Sequence, residues 1–230
     1  MTTWAQRPII AIDIETTGTD IHTDRMVSVS IIHAEHTSSG MRQIWGRDWL
    51  IDPGMPIPSD ATAIHGIDDQ MVAGSIPDHE AAIEIWDQIV ISKRIFGSDT
   101  PIVAFNAVFD LSIICRTAVE CWSDRGRFGG DIVRDVWPVF DPMVIDAYLH
   151  GLSWRSLRRV AASHGMRTDD VRLHTAFGDA TLAARIAYAM GVVIGDCSSA
   201  DLHDLQVGWY REQAGSRGID NTWPIECAML

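Results

Sequence analysis

The apolar and polar positions along the chain change period several times. Ile9-Ile-Ala-Ile-Asp-Ile-Glu15 is a nearly continuous apolar run that ends in two carboxylates, the pattern of a central strand with a polar end. Met26 to His33 and Gln43 to Ile51 read as two more strands joined by short polar connections, so an antiparallel meander is predicted. Asp52-Pro-Gly-Met-Pro-Ile-Pro-Ser is too rich in proline for regular structure. Ala81, Ile85 and Ile89 fall at helical spacing after Pro77, which predicts a helix capped by Ser75 and running to about Phe96. A short strand over Ile102 to Phe105, a helix over Ala107 to Trp122 and a strand near Val139 to Asp141 follow. A helix from Ser153 to Gly165, an alanine-rich helix from Gly178 to Met190 stopped by Gly191, and an amphipathic helix from Leu202 to Gln213 complete the pattern.

Strands first, then alternating strands and helices, then helices indicate an α/β fold with a mixed sheet flanked by helices. A chain of 230 residues with 47% apolar content can bury the core this requires. Residues 1–195 are expected to form the main domain, and residues 196–230 a C-terminal helical appendage and tail. No segment reads as 18 or more apolar residues, and no charged and apolar leader precedes the first strand, so a cytoplasmic protein without a membrane span is expected.

Charge narrows the function. The 31 acidic residues outnumber 18 basic ones, giving a net charge of -13, which argues against a broad cationic surface for gripping nucleic acid. Such a substrate would need local help from metals or a few arginines. Only Lys93 among the basic residues is lysine, and Arg155, Arg158, Arg159, Arg167 and Arg172 gather in one stretch. That stretch suits phosphate contact or an ordinary solvated face. Cys115, Cys121, Cys197 and Cys227 have neither zinc-site spacing nor disulfide density and are expected as reduced thiols. Most of the nine tryptophans, Trp86 among them, are expected in packing.

Side chains alternate along a strand, so Asp13 and Glu15 share one face. Two like charges on a buried strand repel and lose hydration, and a divalent cation is the simplest compensation, hard cations such as Mg²⁺ and Mn²⁺ favouring carboxylate oxygens.

These residues and their flanks resemble the DnaQ-like superfamily of DEDDh 3′–5′ exonucleases, which includes the proofreading epsilon subunit of bacterial DNA polymerase III. The similarity covers roughly Pro8 to Met190. Asp13-Ile-Glu-Thr-Thr-Gly18 matches the first motif, Asn106-Ala-Val-Phe-Asp110 the second, and His174 with Asp179 the third. The proline-rich loop leading to Ala63-Ile-His-Gly-Ile67 is similar to the family's linking segment. Phe105 stands where the family has histidine, and Asp141-Pro-Met where it has Asp-Thr-Leu, so the shape of the substrate groove departs from the pattern.

The resemblance implies a ribonuclease H-like mixed sheet, with three antiparallel strands followed by parallel ones. It implies two divalent cations, Mg²⁺ or Mn²⁺, held by Asp13, Glu15, Asp110 and Asp179, with His174 as the proton acceptor. Thr16, Thr17, Gly18, His65, Asn106 and Phe109 are the implied substrate contacts, although His65 equally suits a turn histidine that serves local backbone. The activity implied is hydrolysis at 3′ ends of single-stranded or frayed DNA with release of nucleoside monophosphates, in proofreading or repair, with any polymerase partner acting in trans. Two alternatives share the motifs: an RNA-trimming exoribonuclease, and an inactive nucleic-acid-binding or polymerase-partner module.

Overall fold

The computed structural model describes residues 4, 7–38, 40–123, 135–151, 153–195, 197–219 and 222–225. Strands β1 (Ile9–Thr16), β2 (Met26–Thr37) and β3 (Gly40–Asp52) form the meander. Helices α1 (Ser59–His65) and α2 (Asp69–Val72) follow, then β4 (Ile76–Pro77), α3 (Asp78–Phe96), β5 (Ile102–Val103), α4 (Ala107–Ser123) and β6 (Val139–Phe140). Four further helices close the described fold: α5 (Pro142–His150), α6 (Leu157–Ser163), α7 (Ala176–Ile194) and α8 (Ser199–Gly215). The sheet order is β4-β3-β2-β1-β5-β6. β1 to β3 are antiparallel, and β5 and β6 continue parallel to β1. This is the mixed sheet expected.

β1 sits at the centre because its residues are apolar on both faces. Ile10, Ile12 and Ile14 pack with Ile85, Ile89, Leu111 and Ile114 of α3 and α4. Ile9 and Ala11 face the other way, into a core with Ala180, Ala183, Ala184 and Ala187 of α7. Small alanines let that helix lie close on the sheet, and Asp13 and Glu15 continue the Ile9–Ala11 face toward it.

Several elements differ from expectation. Ser75 does not cap α3: β4 pairs with Ile51 and Asp52, drawing the preceding residues into the sheet, and Pro77 stands at the helix start. Gly191 does not stop α7, which runs to Ile194 and ends at Gly195 in the left-handed region (φ 77°). Gly191 is buried, so packing offsets a helical glycine's cost of about 1 kcal/mol. α7 is thereby long and apolar enough, by length and composition, to cross a membrane, and most of it lies inside the core. α6 begins at Leu157 after Ser156, four residues later than expected.

The segment expected as an appendage carries α8, whose side chains finish the sheet. His203 Nδ1 accepts the Val139 N–H at 3.0 Å, Gln206 Oε1 accepts the Asp141 N–H at 2.7 Å, and Gln206 Nε2 donates to the Val139 carbonyl at 3.0 Å. Leu202, Tyr210 and Ala214 of the same helix are buried in the two cores. Trp4, Trp49, Trp86 and Trp223 are buried core residues and Trp154 and Trp209 pack against the core partly buried, whereas Trp45 is exposed. Cys197 is a free thiol, Cys115 is buried and Cys121 half-buried, and Cys227 lies outside the described residues.

Candidate active site

β5 is so short that it pairs with β1 only at Ile10 and Ala11. Beyond that point the β5 side of β1 is open, and Asp110, in the first turn of α4, fills it: its Oδ1 accepts the Ile14 N–H at 3.0 Å. Asp179 arrives from the first turn of α7. One carboxylate oxygen from each of Asp13, Glu15 and Asp179 lies within 4.8 Å of the others. Asp110 stands next to this trio and its charge acts on Asp13.

The cluster is electrostatically unfavourable as it stands. Burial, then repulsion from Asp110, Asp179 and Glu15, holds the Asp13 carboxyl well above the usual range. Burial also holds Asp110 well above it. Glu15 is pushed up to about 7, by burial first and the Asp179 charge second. Burial raises Asp179 too, against the opposing pull of His174. Asp179 Oδ1 is buried with no hydrogen-bond donor. Clustered acids with raised pKa values, one of them carrying a buried acceptor without a donor, fit a hard divalent cation, since all the available ligand atoms are carboxylate oxygens.

Among the described residues, Asn106 (φ 69°) and His174 (φ 58°) are the two non-glycines in the left-handed region. Such a conformation costs on the order of 1–3 kcal/mol and survives where its surroundings fix it. Around His174 the fixing is backbone packing. The Thr175 hydroxyl donates to the Arg172 carbonyl at 2.7 Å and accepts the Gly178 N–H at 3.2 Å, capping α7. A side chain at Gly178 would start 2.0 Å from that Arg172 oxygen, so the loop can fold onto the helix only over glycine. His174 itself is exposed beside the carboxylates.

Asn106 is fixed by Asp141, a fully buried residue whose part was missed in the sequence. Asp141 accepts the N–H groups of Asn106 (3.0 Å), Ala107 (2.9 Å) and Met143 (2.9 Å). It thereby caps α4, which carries Asp110, and α5. Burial pushes its carboxyl up to about 6 against those three bonds. The signal available was an Asp followed by Pro, which reads as a helix start.

Thr16, Thr17, Gly18, His65 and Phe109 line a cavity of about 370 Å³ together with Glu15 and Ile64. Asn106 is not among its lining residues. The threonine hydroxyls also shape the turn: Thr16 donates to the Gly18 carbonyl at 2.6 Å, and Thr17 donates to Asp24 at 2.8 Å while accepting the Arg25 N–H at 3.0 Å. His65 serves its turn through Nδ1, which accepts the Ile67 N–H at 3.0 Å, and this places the neutral ring's proton on Nε2. That Nε2 is buried without a partner.

The arginine stretch divides. Arg155 forks onto the buried Asp146, with Nε to Oδ2 at 2.7 Å, and Arg167 pairs with Asp169 at 2.9 Å, so both have acidic partners in the fold. Arg158 and Arg159 are exposed on α6.

The RNase_T exonuclease family model matches residues 10–187. An epsilon-like DNA polymerase III protein of Rhodobacter capsulatus is 27% identical over 177 residues, 76% of this chain and 22% of that protein. An exonuclease of Escherichia phage 186 is 31% identical over 115 residues, half of this chain and 51% of its own length. The chain thus spans about a fifth of one curated relative and half of the other. Among solved structures, Escherichia coli exonuclease I with a dA16 oligonucleotide superposes with a TM-score of 0.65 at 16% identity, covering 87% of this chain and 43% of that one. Exonuclease X with 5′-overhanging duplex DNA gives 0.56 at 20% identity, covering 86% and 99%. With the family model spanning all three motifs and the fold matching theirs, the chain belongs to the RNase_T exonuclease family, within the DnaQ-like 3′–5′ exonuclease superfamily.

Proposed function

We propose that the protein is a divalent-metal-dependent 3′–5′ exonuclease that removes nucleoside monophosphates from 3′ ends of single-stranded or frayed DNA. The observation that carries this reading is the convergence of Asp13, Glu15 and Asp179, with a buried unpartnered Asp179 oxygen, next to an exposed His174. Asp13, Glu15 and Asp179 would hold one ion, and Asp110, positioned by the Ile14 N–H on its Oδ1, would join them in holding a second. Bound there, Mg²⁺ or Mn²⁺ would make the attacking water more acidic and shield the charge growing on the leaving 3′-oxygen.

His174 supplies the base. Its imidazole, exposed beside the carboxylates, takes the water's proton as the oxygen attacks phosphorus in line. The P–O3′ bond breaks, leaving a 5′-monophosphate and a strand shortened by one nucleotide. His65, with Thr16, Thr17, Gly18 and Phe109, would form the wall against which the terminal nucleotide rests. DNA is favoured over RNA because the superposing exonuclease structures are DNA complexes and one relative is epsilon-like. A proofreading role would be exercised with a polymerase partner in trans.

The test is incubation of end-labelled single-stranded DNA and RNA with the wild type and with Asp13→Asn, in Mg²⁺, Mn²⁺ and chelator. Stepwise shortening of DNA from the 3′ end, abolished by Asp13→Asn and by chelator, is expected. Undiminished hydrolysis in excess chelator would refute the metal requirement, and faster shortening of RNA would reassign the substrate.

A further inference from the structure

We propose that Arg172 is the cation that receives the substrate strand at the mouth of the active site, binding a phosphate upstream of the scissile one. The inference rests on the nuclease reading above and adds a residue that determines strand binding.

Arg172 lies two residues before His174. Its carbonyl is locked against the first turn of α7, accepting the Thr175 hydroxyl and packing on Gly178. Its side chain leaves that anchor and crosses to α1. An Arg172 guanidinium nitrogen lies 3.8 Å from the point where a Gly66 side chain would begin. Gly66 is the left-handed residue that ends α1 directly after His65, and His65 lines the site cavity. Arg172 therefore connects the loop that carries His174 to the turn that carries His65, the two sides between which a 3′ end must pass.

The guanidinium is also uncommitted. Arg42, Arg47, Arg155, Arg167 and Arg185 each pair with a carboxylate, and Arg116 donates to the Ile21 and Asp24 carbonyls. Among the described residues no hydrogen bond or ion pair engages the Arg172 guanidinium. In a chain of net charge -13 whose site is floored with carboxylates, a strand meets like charge unless a local cation receives it. A forked, planar donor set suits phosphate oxygens. The bland competitor is that Arg172 merely places positive charge near the C-terminal carbonyls of α1.

The experiment compares wild type, Arg172→Lys and Arg172→Gln on a single-stranded oligothymidylate and on thymidine 5′-(p-nitrophenyl) phosphate, which has no upstream strand. A charged contact of this kind predicts that Arg172→Gln raises KM for the oligonucleotide roughly 10- to 100-fold, with kcat falling far less. Arg172→Lys should recover part of the loss. The slope of log(kcat/KM) against log salt should weaken by about 0.7, one phosphate on a single strand. Turnover of the ester should change much less than oligonucleotide KM. Unchanged oligonucleotide KM with a lowered melting temperature would overturn the proposal in favour of the helix-end role. An equal loss on both substrates would overturn it in favour of action at the reacting phosphate. Should the wild type hydrolyse neither substrate, the proposed activity fails on its own, and fluorescence anisotropy of the labelled oligonucleotide decides this inference: weaker binding by Arg172→Gln supports it, equal binding refutes it.

Discussion

Replacing Glu15 by Gln should stabilise the metal-free protein at alkaline pH and abolish much of its response to metal. In the unfolded chain Glu15 loses its proton near 4.5, and in the fold near 7. Between those values folding takes up a proton, so this group's contribution to stability falls as pH rises from 4.5 to 7, and above 7 the whole cost is present. At about 1.4 kcal/mol per pH unit that cost is ~3 kcal/mol. Glutamine keeps the shape and carries no charge, so in chelator Glu15→Gln should exceed the wild type by only ~1 kcal/mol at pH 5 and by ~3 kcal/mol at pH 8. Relief of Asp13 and Asp110, which Glu15 also pushes up, adds in the same direction.

The comparison between the two proteins matters because other groups tilt each profile alone. Burial holds His33 down at about 4 and Lys93 at about 7, so stability from His33 is lost as pH falls below about 6.5, and stability linked to Lys93 rises as pH goes from 7 to 10.5. Both are common to wild type and variant and cancel in the difference. Urea denaturation in chelator at pH 5, 6, 7 and 8 reads it directly. Adding Mn²⁺ should then reverse the order, stabilising the wild type more than the variant. A difference that is flat with pH, or a variant less stable than the wild type at pH 8 without metal, would refute the account of the site as strained by its own charge.

Two other substitutions probe the supporting parts of the site. His174→Ala should lower saturated turnover by about 10²–10⁴-fold and flatten the acid limb of the pH–rate profile, with Mn²⁺ affinity by calorimetry unchanged. Asp141→Ala, which strips a buried acceptor from three backbone N–H groups, should cost ~3–5 kcal/mol in urea denaturation, and addition of metal should restore less turnover than in the wild type because Asp110 and Asn106 lose their anchor.

The chemistry of the chain was more legible than its supports. Asp13 and Glu15 stand two apart on an apolar strand, so alternation alone places them on one face, and the structure puts their oxygens within reach of Asp179. By contrast the Asp141-Pro142 start was the one trace of α5: Pro142 to Ala147 are all buried, the ion-paired Asp146 included, so no polar face gives that run a helical period. β3 is exposed on both faces from Arg42 to Asp48, which hides the alternation that would have extended it toward Gly40. The left-handed backbone at His174 depends on how Arg172 and Gly178 meet, which spacing in the sequence does not disclose.

A parallel strand at the rim of a sheet presents bare peptide groups that another chain can dock onto. On β6 that vacancy is occupied by two side chains of α8 that imitate a neighbouring strand, an imidazole accepting where a carbonyl would accept and a carboxamide both accepting and donating. The imitation is only half insensitive to acid. Gln206 has no proton to gain, whereas His203 accepts through Nδ1 only while that nitrogen is bare, and burial delays its protonation to below the ordinary histidine range. The two sides of the latch therefore differ in kind: the Val139 N–H depends on a nitrogen that can titrate, whereas the Asp141 N–H and the Val139 carbonyl are held by a carboxamide that cannot.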